Sequence, residues 1–425
     1  MITQKENKIT LHGWVENVRN LGSLIFLNVR DINGTYQVTL SKERDKELFD
    51  LAREIRNESV IEVYGERKEN PKAVNGYEIV PEVLNMLAEA EQPVPLNLNK
   101  NVESSLDKDL NYRFLSLRKE KNAAIFKIQS TVSNSIVRFL ENSGFYQIHS
   151  SKIVSQATEG GANVFPVVYF DRTAYLAQSP QFYKQMMMAG GFEKVFEIGP
   201  VFRAEPHHDS RHLCEYTSID IEMSFIKSYE DVMETMENMM TAIFGDAEKT
   251  NQRDLKTFGV KLETPKIPFP RITMKEAAEI LKGYGKTVID DVDPEGERVL
   301  GKYVKEKYGS DFFFLTEFPW SVAQFYHMRK PGDKEVTFRA DLIYKGLEIT
   351  TLAQREHRYK VLMEQTKEKG LDPERFGFYL DFFRYGVPPH GGSGTGLERI
   401  VKQMLNLENV AEATLLPRTP DRVTP

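Results

Sequence analysis

Residues 199–226, GPVFRAEPHHDSRHLCEYTSIDIEMSFI, read as a strand, a polar turn and a second strand with charges at regular places. At the two-residue period of a strand, Arg203 and Glu205 share a face of the first run. On the second, Tyr216, Ser218, Asp220 and Glu222 share one face, and Ile219, Ile221, Met223 and Phe225 the other. The apolar face can bury. A cation, carboxylates and an aromatic ring on the opposite face are costly near a core unless something charged and planar lies on them, as a nucleotide with metal ions would. Solvated charges on a half-exposed hairpin would give the same letters, so the rest of the chain has to decide.

Of 425 residues, 40% are hydrophobic and 28% charged, a composition that supports two or three globular domains. No apolar run approaches the roughly 20 residues that span a bilayer, and the start MITQKENKIT lacks the apolar core of a signal peptide. A cytoplasmic protein with no membrane partner is expected. The single cysteine, Cys214, excludes an internal disulfide framework and a cysteine-clustered zinc site. With a net charge of −6, nucleic-acid contacts must come from local basic patches rather than a global field.

Outward from the opening stretch, 8–85 alternates as five short strands with one helix-like stretch near Lys46–Ile55 and turns at Asn33-Gly34 and Asn75-Gly76, which fits a small barrel of the OB type over 1–87. A polar, proline-containing linker is expected over 88–110. From Lys121 an apolar stripe of Ile125, Ile128, Val132, Ile136, Phe139 and Leu140 predicts a helix ending near Gly144. Strand-rich runs mixed with helices over 111–425, without regular β-α-β alternation, predict an α+β domain with an antiparallel sheet flanked by helices.

Two further segments carry chemistry. In TFRADLIYKGLEITTLAQREHRY, 337–359, a turn at Lys345-Gly346 sets Ile343 opposite Glu348 and Asp341 diagonally beside it. Two carboxylates so close repel unless a cation sits between them, and a hard oxygen-ligated ion such as Mg2+ would serve. Further on, Arg355 offers a fork matched to a carboxylate. In PPHGGSGTGLERIV, 388–401, the glycines mimic a dinucleotide fingerprint, but too little chain follows for the β-α-β units that fold needs. A glycine-packed strand entering a helix that presents Glu398 and Arg399 to a ligand is the better reading.

Together these segments resemble the catalytic core of class II aminoacyl-tRNA synthetases, 199–226 and 388–401 looking like that class's second and third signature motifs. NYRFLSLR at 111–118, TEGGANVFPVVYF at 158–170, AYLAQSPQFYKQ at 174–185 and LLPRTPDRVTP at 415–425 are similar to the aspartyl branch, of archaeal and eukaryotic type. The resemblance implies that Arg203 holds the α-phosphate of ATP and the amino-acid carboxylate, with Glu205 at the adenine amino group. It implies that Tyr216 stacks beneath the adenine and Arg399 above it, and that Arg211 and His212 meet the outer phosphates. Asp341 and Glu348 would be the Mg2+ ligands. Ser179, Gln181, Lys184 and Asp220 would hold the amino acid, Arg355 its side-chain carboxylate, and Glu159 would sit in a loop closing over it. In the barrel, Phe26, Gln37 and Glu78 would contact anticodon bases.

The implied reaction is activation of L-aspartate by ATP and transfer to the terminal adenosine of tRNA(Asp), or of both tRNA(Asp) and tRNA(Asn), by a homodimer. An asparaginyl enzyme, an amide-forming paralogue that uses no tRNA, and a tRNA-binding protein without catalysis are the competing readings. The pattern departs from the family at Ser151, where proline is expected in the dimer-forming motif, at Ala323-Gln324, and at Leu352, where glycine is usual beside the expected amino-acid pocket.

Overall fold

The computed structural model describes residues 2–5, 7–99, 102–156, 163–206 and 209–425, with the side chains of 2–5 outside the description. It divides into two compact units, Met1–Ala123 and Ala124–Pro425.

In the first unit β1 (Ile2–Lys5), β2 (Lys8–Asn20), β3 (Leu24–Asp31), β4 (Gly34–Ser41), β5 (Val60–Glu69) and β6 (Tyr77–Ala88) form one sheet, with α1 (Lys46–Glu54) between β4 and β5. β2 pairs with both β3 and β5, and that double pairing closes the barrel. Alternation turns Ile9, Leu11, Ile25, Leu27, Val29, Val38, Ile61 and Val63 inward, and Phe49 and Ala52 of α1 join this core. Each such aliphatic chain contributes about 1.5–3 kcal/mol by leaving water. The short helices α2 (Leu106–Asn111) and α3 (Arg113–Ser116) follow a stretch whose described residues form no helix or strand.

The expected long helix is α4 (Glu120–Asn142), with Ile125, Ile128, Val132, Ile136 and Leu140 buried and Phe139 packed at the edge of the same core. After it come β7 (Tyr146–Gln147), β8 (Ile153–Val154), β9 (Pro166–Tyr169), β10 (Arg172–Leu176), α5 (Gln181–Ala189), β11 (Lys194–Phe202), β12 (Glu215–Ser224), α6 (Glu230–Thr250) and α7 (Gln252–Thr257). The segment that is least informative as sequence supplies β13 (Arg271–Thr273), α8 (Met274–Gly283), α9 (Pro294–Tyr308) and β14 (Phe312–Thr316). The chain then forms β15 (Arg329–Lys330), β16 (Asp333–Thr337), β17 (Arg339–Tyr344), β18 (Leu347–Gln354), α10 (Tyr359–Glu368), α11 (Gly377–Arg384), β19 (His390–Gly396) and α12 (Leu397–Leu405).

The central sheet has eight strands in the order β13-β14-β17-β18-β19-β12-β11-β7. Its inner pairings are antiparallel, as expected, but both outermost pairings are parallel, β13 with β14 and β11 with β7. One face packs on α4, α6 and α12 through residues such as Ile219, Ile221, Met236 and Ile400. The other carries the polar residues.

Three local readings need correction. β11 ends at Phe202, so Arg203 and Glu205 lie in an irregular segment rather than on one strand face. β12 ends at Ser224, and Phe225, at a φ of 57°, swings outward and is 70% exposed instead of packing with Ile221. Leu352 packs in the helix-side core rather than beside a pocket.

Candidate active site

The polar edges of β12, β18 and β19 surround a cavity of about 460 Å3. Glycines make room for it. In the β12–β19 register Gly392 lies opposite Glu222 and Gly394 opposite Asp220. A Cβ at Gly392 would sit 2.1 Å from the Ile221 carbonyl oxygen and 2.2 Å from Glu222 Oε2, so the buried carboxylate fits only against a bare backbone. The strand-into-helix reading of 388–401 holds, with Glu398 and Arg399 in the first turn of α12 lining the cavity.

At one end lie Arg203, Glu205, Arg211, His212, Tyr216, Glu348 and Arg399, all cavity-lining. The Arg203 guanidinium stands 5.6 Å from the Tyr216 ring centroid. Arg399 Nη1 donates to the Glu348 carbonyl oxygen at 2.9 Å and lies 3.4 Å from Glu348 Oε2. Arg211 pairs with Glu297 of α9. Asp209 Oδ1 accepts from the Arg211 and His212 amides at 2.7 and 2.9 Å, and Asp209 Oδ2 lies 2.8 Å from His212 Nδ1, so this carboxylate shapes the loop that carries both cations.

The β17–β18 hairpin turns at Lys345 (φ 48°) and Gly346 (φ 72°), as predicted for a turn needing left-handed backbone. Ile343 faces Glu348, but a bulge follows, so Thr351 rather than Thr350 stands opposite Asp341, and its hydroxyl donates to Glu348 Oε1 at 3.1 Å. The cation beside Asp341 is Arg339, which donates to both carboxylate oxygens at 3.3 and 2.8 Å. Burial pushes Asp341 up to about 7, against the pull of Arg339. Burial acts the same way on Glu348, but Arg399 and Arg339 outweigh it and hold that carboxyl below its ordinary range. Burial likewise lifts Glu398 to about 6, although its carboxylate accepts from the Thr217 amide at 3.1 Å.

At the other end Ser179, Gln181, Asp220 and Arg355 line the cavity. Arg355 is 3% exposed, and Glu222 accepts from its Nε at 3.0 Å and its Nη2 at 3.4 Å. Lys184 is equally buried but stands behind the wall: its ammonium donates to Asp220 Oδ1 at 2.9 Å, to the carbonyl oxygens of Ser393 at 2.9 Å and Ile221 at 3.3 Å, and lies 3.4 Å from Glu222. Among the expected site residues of this unit, Lys184 and Asp341 therefore sit one layer back, and Glu159 lies outside the described residues.

Sequence reasoning gave no role to Glu222, Arg339 or Glu297. The first two were within reach, since Glu222 shares the polar face of β12 and Arg339 lies two residues before Asp341 on one strand. Glu297 has no local signal, because its partner is 86 residues away.

In the barrel, Phe26 is half-buried on the side of β3 opposite the core residues Ile25 and Leu27, with Thr39 as its cross-strand neighbour. Glu78 accepts from Gln37 Nε2 at 3.1 Å, Thr39 Oγ1 at 2.7 Å and Asn70 Nδ2 at 3.0 Å. The three expected anticodon contacts thus share one outer patch.

Residues 105–420 match the family model described as tRNA synthetases class II (D, K and N), and 9–87 match the OB-fold nucleic acid binding domain. The chain belongs to the class II tRNA synthetases. As a member it is an ATP-consuming ligase whose partners are an amino acid and a tRNA. Relatives of this synthetase include the aspartate–tRNA(Asp/Asn) ligase of Aeropyrum pernix, 48% identical over 100% of this chain and 98% of that one. The aspartate–tRNA(Asp) ligase of Pyrococcus furiosus is 45% identical over the same shares. The asparaginyl-tRNA synthetase of Pyrococcus horikoshii complexed with asparaginyl-adenylate superposes on the synthetase with a TM-score of 0.91 at 32% identity, covering 98% of this chain and 96% of that one. No helix among the described residues is long and apolar enough to cross a membrane.

Proposed function

We propose that this synthetase activates L-aspartate and charges tRNA(Asp). The observation that carries the reading is Arg355, a buried guanidinium on the cavity wall whose Nε–Nη2 edge is occupied by Glu222 while no described group pairs with Nη1. A second carboxylate, the side chain of aspartate, suits that remaining edge better than an amide does. Asp220 would take the α-amino group, with Ser179 and Gln181 beside it. Lys184 would act from behind by fixing Asp220 and Glu222.

In the reaction an oxygen of the aspartate α-carboxylate attacks the α-phosphorus of ATP, the bond to the bridging oxygen breaks, and pyrophosphate leaves. The hydroxyl of the terminal tRNA adenosine then attacks the aspartyl carbonyl and releases AMP. Such chemistry depends on alignment and charge neutralisation more than on a dedicated base. Arg203 would hold the α-phosphate beside the attacking carboxylate, while Tyr216 and Arg399 sandwich the adenine, with Glu205 at its edge. Arg211 and His212 would meet the outer phosphates. Glu348, with Asp341 behind it, would hold a Mg2+ ion, which commonly uses one or two carboxylates. The ion would neutralise phosphate charge during the displacement.

Phe26, Gln37 and Glu78 would read the anticodon, Phe26 by stacking. Both Asp and Asp/Asn names occur among the relatives, so tRNA(Asn) is a second substrate to test. A cytoplasmic homodimer is part of the proposal. Tyr146 of the edge strand β7 and Phe192, whose ring meets it edge-on, are 64% and 40% exposed and support a face that a second copy covers. Charging assays with each purified tRNA and with labelled aspartate or asparagine test the reading. Aspartate should be attached to tRNA(Asp), and attachment of asparagine alone would overturn it.

A further inference from the structure

Arg211 lies between β11 and β12, where the described residues form no regular structure, yet its guanidinium has to meet phosphates at a defined point. Backbone anchors hold the loop: Arg399 Nε donates to the Arg211 carbonyl oxygen at 3.4 Å, and the Val410 amide donates to that of Ser210 at 3.1 Å. Neither fixes the side chain. That contact comes from Glu297, in the first turn of α9, which accepts from Arg211 Nη2. The helix is itself fixed, since the Asp293 side chain caps it and Leu300 and Val304 are buried, so the carboxylate is presented from a rigid element. Arg211 lines the cavity, and Glu297 takes only Nη2 of its fork, which has five N–H donors in all.

We propose that Glu297 is a positioning residue for ATP: it clamps one side of the Arg211 guanidinium so that the other donors are aimed at the outer phosphates before the nucleotide arrives. Holding a flexible side chain in its bound geometry removes an ordering cost that binding would otherwise meet. The proposal rests on the reading of Arg211 as a phosphate ligand.

Calorimetric titration of the full chain with ATP and with AMP separates this role from mere support of the fold, because AMP lacks the outer phosphates. Glu297→Ala should bind ATP about tenfold more weakly and AMP as well as the parent does, with Glu297→Gln, which keeps an acceptor, in between. In an Arg211→Ala background Glu297→Ala should add nothing. Parallel loss of ATP and AMP, losses that multiply in the double variant, or tighter ATP binding once a competing carboxylate is gone would each overturn the proposal. Aspartate-dependent pyrophosphate exchange by the parent chain, run alongside, keeps the two readings apart. Its absence beside an intact ATP-specific effect would remove aspartate as the substrate and leave the role of Glu297 standing.

Discussion

Arg355 and Glu222 form a buried pair in which each needs the other, and the substrate would make a third partner. Arg355→Leu should reduce aspartate activation by about thirtyfold or more, since truncating one member of a buried, hydrogen-bonded charge pair costs about 2–5 kcal/mol. ATP affinity, measured by calorimetry, should change little, because the proposed ATP end of the cavity is lined by Arg203, Arg211 and Arg399. Equal losses for both ligands would mean that Arg355 serves the whole cavity. Individual residues were legible where spacing within one strand or turn placed them, as with Tyr216, Asp220 and Glu348. The burial of Lys184 behind the wall was not, because it depends on α5, β12 and β19 converging, and adjacency in the chain contains nothing of that convergence.

The strand β19 combines two demands, ladder pairing on both edges and space for the carboxylates of β12. Gly392→Ala should therefore destabilise by about 1–3 kcal/mol, the usual cost of forcing atoms into a packed core. Gly394→Ala should cost less, because its nearest neighbour would be Asp220 Oδ1 at 3.4 Å rather than backbone at 2.1 Å. Thermal denaturation of the two variants checks the order, and equal shifts would refute it. The period-two pattern found the strands, and the glycine spacing found β19 entering α12. Strand ends and the bulge in the hairpin were hidden, since both follow from neighbouring strands. Phe225 shows why: its letter continues the apolar face, but the chain turns at Ser224 and leaves it in solvent. The parallel outermost pairings also escaped, as they are made by short strands brought in from distant segments.

For the whole molecule, pH enters through His390, at the start of β19. Gln185 Oε1 accepts from Gln181 Nε2 at 2.9 Å and from the Tyr379 hydroxyl at 3.0 Å, so its amide nitrogen donates to His390 Nε2 at 2.8 Å. Nδ1–H donates to the Pro388 carbonyl oxygen at 2.9 Å, and the ring is neutral. Burial, opposed by the nearby Glu222, pushes its pKa down to about 4. The unfolded chain takes up that proton near its ordinary value of about 6.5, so the contribution is present above that pH and is lost as pH falls toward 4, about 3 kcal/mol in all. Urea unfolding of the parent and of His390→Gln across this window should give a flatter pH dependence for the variant, and identical slopes would contradict it. The class of fold, with its N-terminal barrel, was readable from the barrel-like strand run and from motifs in their expected order. What joins those motifs into one cavity had to be seen in three dimensions.

In the proposed function one cavity holds ATP against arginines at one end and aspartate against Arg355 at the other. Pyrophosphate exchange into ATP by the purified chain with Mg2+, measured with aspartate and separately with asparagine, tests it most directly. Robust exchange is expected with aspartate and little with asparagine. Exchange that depends on asparagine alone would contradict it.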